Sequence, residues 1–98
     1  MEIVKKQDGS NLTISLEGRL DTTTAPSLET ELNSCIPDAE TLTFDLEGIE
    51  YISSAGLRVL LYAQKKMRQK GGVKVKNVTN EVMEIFDVTG FSDILDIE

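Results

Sequence analysis

Two short stretches of this chain, Leu12-Thr13-Ile14-Ser15-Leu16 and Leu42-Thr43-Phe44-Asp45-Leu46, alternate apolar and polar residues strictly, and the apolar residues after each recur at helical spacing. Side chains alternate across a strand with period two and share a helix face with period 3.6, so each switch of period predicts a strand followed by a helix. A strand, a crossover helix and a second strand pair in parallel, which commits the chain to an α/β layer fold. The remaining segments extend the pattern. Residues 2–7 and 11–18 read as a hairpin around Asp8-Gly9-Ser10-Asn11, with the second strand ending at Gly18. Ala25, Leu28, Leu32 and Cys35 or Ile36 mark the first helix, with Pro26 near its start and Pro37 barring its continuation. Residues 41–46 form the third strand.

In the second helix Leu57, Leu60, Leu61, Gln64 and Met67 share one face, and Arg58, Tyr62, Lys65, Lys66 and Gln69 another. Gly71-Gly72 ends it, and Lys65, Lys66, Arg68 and Lys70 suit the negative end of the helix dipole. Residues 73–78 make a further strand. Thr79-Asn80 cap a third helix carrying Val82, Ile85 and Phe86 and ending at Gly90, and Ile94 to Ile97 read as a final edge strand. Residues 1–98 are therefore expected to form a single small domain, a mixed sheet of about five strands with helices packed on it.

Composition removes most classes of function. A net charge of −7 on 98 residues disfavours nucleic acid and anionic membrane surfaces, and no apolar stretch approaches the length of a membrane span. Without a leader-like N-terminus the protein is expected in the cytoplasm. The chain has no histidine and a single cysteine, Cys35, expected to pack on its helix; that leaves no internal disulfide, no zinc-type ligand set and no activated nucleophile. Phosphate-binding loops of the Gly-x-x-x-x-Gly-Lys-Ser/Thr and Gly-x-Gly-x-x-Gly types are absent. Neither an enzymatic activity nor a cofactor is expected, and protein partners are the plausible ones.

The stretch with unexplained chemistry is Asp45 to Leu57, where a strand gives way to the second helix. Ser53 and Ser54 stand where a helix N-terminus needs oxygen acceptors for its unpaired N–H groups. Gly56 follows inside the first turn, although glycine there costs roughly 0.5–1 kcal/mol relative to alanine. A close approach of another surface would explain it, which makes this helix start a candidate docking site. If the second and third strands are parallel neighbours, Asp21 lies near Ser54.

Asp45-Leu46-Glu47-Gly48-Ile49-Glu50-Tyr51-Ile52-Ser53-Ser54-Ala55-Gly56-Leu57-Arg58-Val59-Leu60-Leu61 resembles the signature of STAS domains, specifically of bacterial anti-sigma factor antagonists. Leu16-Glu17-Gly18-Arg19-Leu20-Asp21 resembles an earlier family motif and Glu81 to Phe91 a later one, so the likeness spans essentially the whole chain. It implies a STAS-like fold and a non-enzymatic module that binds an anti-sigma factor, itself a serine kinase, and thereby releases a sigma factor. The kinase ends the contact by phosphorylating a serine at the start of the second helix, and a serine phosphatase resets it. By that resemblance the phosphorylated serine is Ser54. Ser53 stands where several members have aspartate, Ala55 where some have a second hydroxyl, and Asp21 matches an acidic residue beside the site. The implied partner surface comprises Asp21, Ser53, Ser54, Gly56 and Arg58, on a chain expected to be monomeric when free. A rival implication of the same fold is an accessory subunit of a transport system or a stress-sensing complex.

Overall fold

The computed structural model describes residues 1–98. In chain order its elements are β1 (Glu2–Asp8), β2 (Asn11–Leu20), α1 (Ala25–Cys35), a 3-10 turn (Ile36–Asp38), β3 (Thr41–Ile52), α2 (Ser54–Lys66), β4 (Val73–Lys76), α3 (Asn80–Thr89), a second 3-10 turn (Phe91–Asp93) and β5 (Asp96–Ile97). The five strands form one sheet in the order β1-β2-β3-β4-β5. The β1–β2 hairpin is antiparallel, and every later pair is parallel and joined by a helical crossover, as the alternation of periods predicts.

Leu12, Ile14 and Leu16 of β2, Leu42, Phe44 and Leu46 of β3, and Val73 and Val75 of β4 point to one face. There they meet Leu28 and Leu32 of α1, Leu57 and Leu60 of α2 with Met67 at its C-cap, and Val82 and Phe86 of α3 in a single cluster of buried side chains. Thr13, Ser15, Thr43, Asp45, Lys74 and Lys76 face the other way and are half-buried or exposed. The result is two layers, with helices on one side and solvent on the other. No charged or polar side chain is buried, so the core holds together by apolar burial at roughly 25 cal/mol per Å².

The central strands run further than the alternation suggests. β2 does not end at Gly18 but continues to Leu20, and β3 continues past Leu46 to Ile52. Past Leu46 the buried residues of β3 are Ile49 and Ile52, at three-residue spacing. A regular strand cannot keep such residues on one face. The β2–β3 ladder slips register twice, between Ser15 and Glu17 and between Gly18 and Arg19, so that β3 carries an extra residue at each slip. These bulges restore the phase and keep Ile49 and Ile52 inward. Gly18, at the second slip, has φ +107, which side-chain-bearing residues rarely adopt.

Three other boundaries shift, the first being the end of α2, which stops at Lys66, short of the Gly71-Gly72 pair. β4 ends at Lys76 rather than residue 78, where Asn77 turns the chain out with φ +57. The last strand is only Asp96–Ile97, because Phe91–Asp93 coil into a 3-10 turn and Ile94 remains exposed. On α2, Val59 and Ala63 are buried while Leu61 and Gln64 are half-buried, because α1 flanks this helix and widens its buried arc. The Tyr62 hydroxyl donates to Asn33 Oδ1 across that contact.

Of the basic run, Lys65 and Lys66 lie in the last turn of α2, as the dipole favours. Lys70 acts elsewhere. Its ammonium donates to the carbonyl oxygens of Ile36 (2.7 Å), Ala39 (2.9 Å) and Pro37 (3.3 Å), fastening the 3-10 turn that follows α1 to the turn that follows α2. Charge-assisted bonds contribute about 1.5–3 kcal/mol, and water replaces part of that at a half-buried site. Lys70→Ala is therefore expected to lower the unfolding free energy by about 1–2 kcal/mol in urea denaturation, whereas Lys65→Ala changes it by less than about 0.5 kcal/mol.

Candidate functional site

The site forms where the two longest strands end. Leu20 of β2 and Ile52 of β3 are paired in register, and the Ser53 amide donates to the Leu20 carbonyl at 2.9 Å. The loop into α1 and the start of α2 thus leave the sheet side by side. In an α/β sheet this carboxyl edge of adjacent parallel strands is where functional loops gather.

Asp21 opens the first loop. Its Oδ1 accepts from the amides of Thr23 (3.0 Å) and Thr24 (3.2 Å), and its backbone carbonyl accepts from Ala25 N at 2.8 Å. Its own amide donates to Thr24 Oγ1 at 2.9 Å, and that hydroxyl in turn donates to the Arg19 carbonyl at 2.8 Å. The Thr24 N–H, above all, holds the Asp21 carboxyl below the usual carboxylate range against the opposing effect of partial burial; Thr23 and Arg19 add to the lowering. Asp21 is a turn brace that presents α1, and Oδ2 remains as its less engaged edge, 3.9 Å from Arg19 Nε. The Arg19 guanidinium lies 4.6 Å from the centroid of the Tyr51 ring, so these exposed side chains cover the strand pair behind the loop.

On α2 the two serines have different tasks. Ser53 is the N-cap, with extended backbone (φ −88, ψ 175), and its Oγ accepts from the Gly56 amide at 3.4 Å. Ser54 is the first helical residue; it is exposed, and its hydroxyl forms no hydrogen bond within the chain. One turn on, Arg58 is exposed and its Nε donates to the Ser54 carbonyl at 3.5 Å. A charged group on the Ser54 hydroxyl would meet the unpaired N–H groups of the first turn with a guanidinium one turn away on the same face.

Gly56 requires a correction. A close approach to its backbone does exist, but the approaching surface is internal: Gly56 is buried, and a Cβ there would lie 2.7 Å from Leu20 Cγ, 2.8 Å from the Leu20 carbonyl oxygen and 3.0 Å from Ile52 Cγ2. The glycine seats α2 on the sheet end and belongs to the fold rather than to the exposed surface.

Between the starts of α1 and α2 runs an open groove of about 350 Å³, lined by Thr22, Ala25, Pro26, Glu29, Ala55, Arg58 and Val59. Thr22 and Glu29 carry no sequence signal of their own, and Pro26 signals only the start of α1. Only the side-by-side placement of the two helix starts brings them to Arg58. No group of three or more histidine, cysteine, aspartate or glutamate side chains is placed to hold a metal ion, and no helix is long and apolar enough to cross a membrane.

A capped helix start, an exposed hydroxyl on it and an open groove beside it make a surface that another molecule can reach. The STAS domain family model matches residues 2–98, and the chain belongs to that family. The anti-sigma-B factor antagonist of Bacillus subtilis is 30% identical over 93 residues, which cover 94% of this chain and 85% of that protein. Among solved structures, an anti-sigma factor antagonist from Mycobacterium paratuberculosis superposes with a TM-score of 0.88 at 23% identity, over 98% of this chain and 83% of that one. The Bacillus cell-fate determinant SpoIIAA in its phosphorylated form superposes with a TM-score of 0.76 at 15% identity, over 99% of this chain and 91% of that one. These structures share the fold with the present chain.

Proposed function

We propose that this protein is an anti-sigma factor antagonist of the cytoplasm that binds an anti-sigma factor, so freeing a sigma factor, and is released when that factor's serine-kinase activity phosphorylates Ser54. A serine phosphatase returns it to the binding form. The observation that carries this reading is the state of the Ser54 hydroxyl, exposed and unbonded on the first turn of α2, in a chain akin over nearly its whole length to such an antagonist. Ser53 competes poorly as acceptor because its hydroxyl is half-buried and caps the helix. The contact surface consists of Ser54 and Arg58, the groove residues Thr22, Pro26 and Glu29 beside them, and the exposed edge of the Asp21 turn; Ser53 and Gly56 shape it from beneath.

The test is to incubate the purified protein with ATP and each serine-kinase anti-sigma factor of its source organism, and to map the product by mass spectrometry. Phosphate on Ser54, from one kinase and not the others, is the expected result. Phosphate on Ser53 would move the switch by one residue. No transfer from any kinase would favour an accessory role in a transport or stress-sensing assembly.

A further inference from the structure

β1 has a neighbour on one side only. The backbone of Glu2–Asp8 is bonded within the ladder to β2, and none of the loop, turn or cap hydrogen bonds of the chain reaches it. On the outer edge of this seven-residue strand every second residue therefore presents an open donor and acceptor, the kind of edge that recruits another strand. Val4 is 55% exposed on the open face of the sheet, and Glu2 and Lys6, both exposed, lie two residues to either side on that same face. On the helix side, Lys5 Nζ is held 2.7 Å from Glu31 Oε2 of α1.

We propose that this edge pairs antiparallel with the same edge of a second copy, about a two-fold axis perpendicular to the sheet at Val4. Symmetry leaves few registers, because such an axis keeps every side chain on its own face and so must pass through a residue. An axis at Lys5 would oppose the two lysines and set each Glu2 against Asp8 of the other copy. An axis at Ile3 shortens the pairing and opposes no unlike charges. An axis at Val4 places the two valines together and sets Glu2 of each copy opposite Lys6 of the other, with Ile3 along the stem of Lys5. Cross-strand pairs of opposite charge favour pairing and like charges oppose it, so the edge charges select this register.

Two five-stranded sheets then join into one of ten, with all helices on one side. The groove between the starts of α1 and α2 is not part of this edge and stays open. A monomer is thus the dilute form only. Pairing along one short strand buries little area and belongs to the weak, concentration-dependent class of interface.

Sedimentation equilibrium at low ionic strength, up to about 1 mM protein, reads the association directly. The wild-type chain is expected to shift from monomer to dimer across that range. Glu2→Lys and Lys6→Glu, each creating two like-charge contacts, should each raise the dissociation constant at least about tenfold. A one-to-one mixture of these two variants should dimerise again, since one then carries lysine and the other glutamate at both positions. The Glu2→Lys/Lys6→Glu double variant should pair with itself and not with the wild type. Both positions are exposed, and recovery in the mixture shows that both variants are folded. A wild-type chain that remains monomeric to the top of the range, a dimer indifferent to either reversal, or a mixture no better than its components would overturn the proposal.

Discussion

Gly56→Leu is expected to lower the unfolding free energy by about 3 kcal/mol or more, at the upper end of what overpacking costs. Even the first added carbon would sit 2.8 Å from the Leu20 carbonyl oxygen and 2.7 Å from Leu20 Cγ, distances that folded chains do not tolerate. The carbonyl is backbone, and it also accepts the Ser53 N–H at 2.9 Å, so it cannot move without loosening the joint between β2 and α2. Alanine gains about 1 kcal/mol over glycine in helix propensity, yet the clash outweighs that gain, and Gly56→Ala should still lose about 1–2 kcal/mol. At roughly 4–8 °C per kcal/mol for a domain of this size, the leucine variant should melt at least about 12 °C below the parent. A leucine variant melting within a few degrees of the parent would mean that α2 does not sit on the strand ends as described. Any loss of partner binding in this variant would report on the fold, so Gly56 is unsuitable for mapping the interface.

Ser54→Ala should bind the anti-sigma factor as the parent does and resist release by ATP, while Ser54→Asp should bind at least about tenfold more weakly, a difference of about 1.4 kcal/mol. The Ser54 hydroxyl bonds to nothing in the chain, so its removal costs the fold almost nothing, and Ser53 remains to cap α2. A carboxylate on the first helical turn is favoured within the domain by roughly 0.3–1 kcal/mol. In a contact it must be desolvated, and a buried charge without a prepared partner is expensive. The two variants should therefore separate in binding and not in stability. Equal loss of binding in both would make the hydroxyl a contact in its own right, and normal phosphate uptake by Ser54→Ala would place the acceptor at Ser53.

The sheet was readable in the sequence wherever one rule governed a whole segment. Strict alternation located β2 and the first half of β3, and helical spacing located α1 and α2, with Pro26 and Pro37 bounding α1, whereas α2 ends at Lys66, short of the Gly71-Gly72 pair. The second half of β3 was hidden because Leu46, Ile49 and Ile52 recur every third residue, which matches no regular strand; bulges against β2 make the spacing work, and a bulge depends on the partner strand. The same limit governed the site. Two serines at a helix start look alike in sequence, and only the direction of Ser53 Oγ toward the Gly56 amide separates the cap from the free hydroxyl. That Gly56 needs open space could be read from its place in a helix turn, but Leu20, which occupies that space, comes from a strand 36 residues earlier. The Asp21 turn had a legible signal, an aspartate three residues before Thr24, the residue just ahead of α1.

The most direct test of a switch at Ser54 is to compare the Ser54-phosphorylated and unmodified proteins side by side, by amide spectra, thermal melting and calorimetric titration of the kinase that modified them. Phosphorylation adds about −1.5 to −2 charges, but it does so where helix N–H groups and Arg58 favour an anion, and the fold itself has been solved in a phosphorylated relative. The two forms should share their amide pattern and melt within about 5 °C of each other, while affinity for the kinase falls at least about tenfold. Unchanged affinity, or scrambled spectra with a much lower melting temperature, would contradict a switch that acts at the surface of an intact domain.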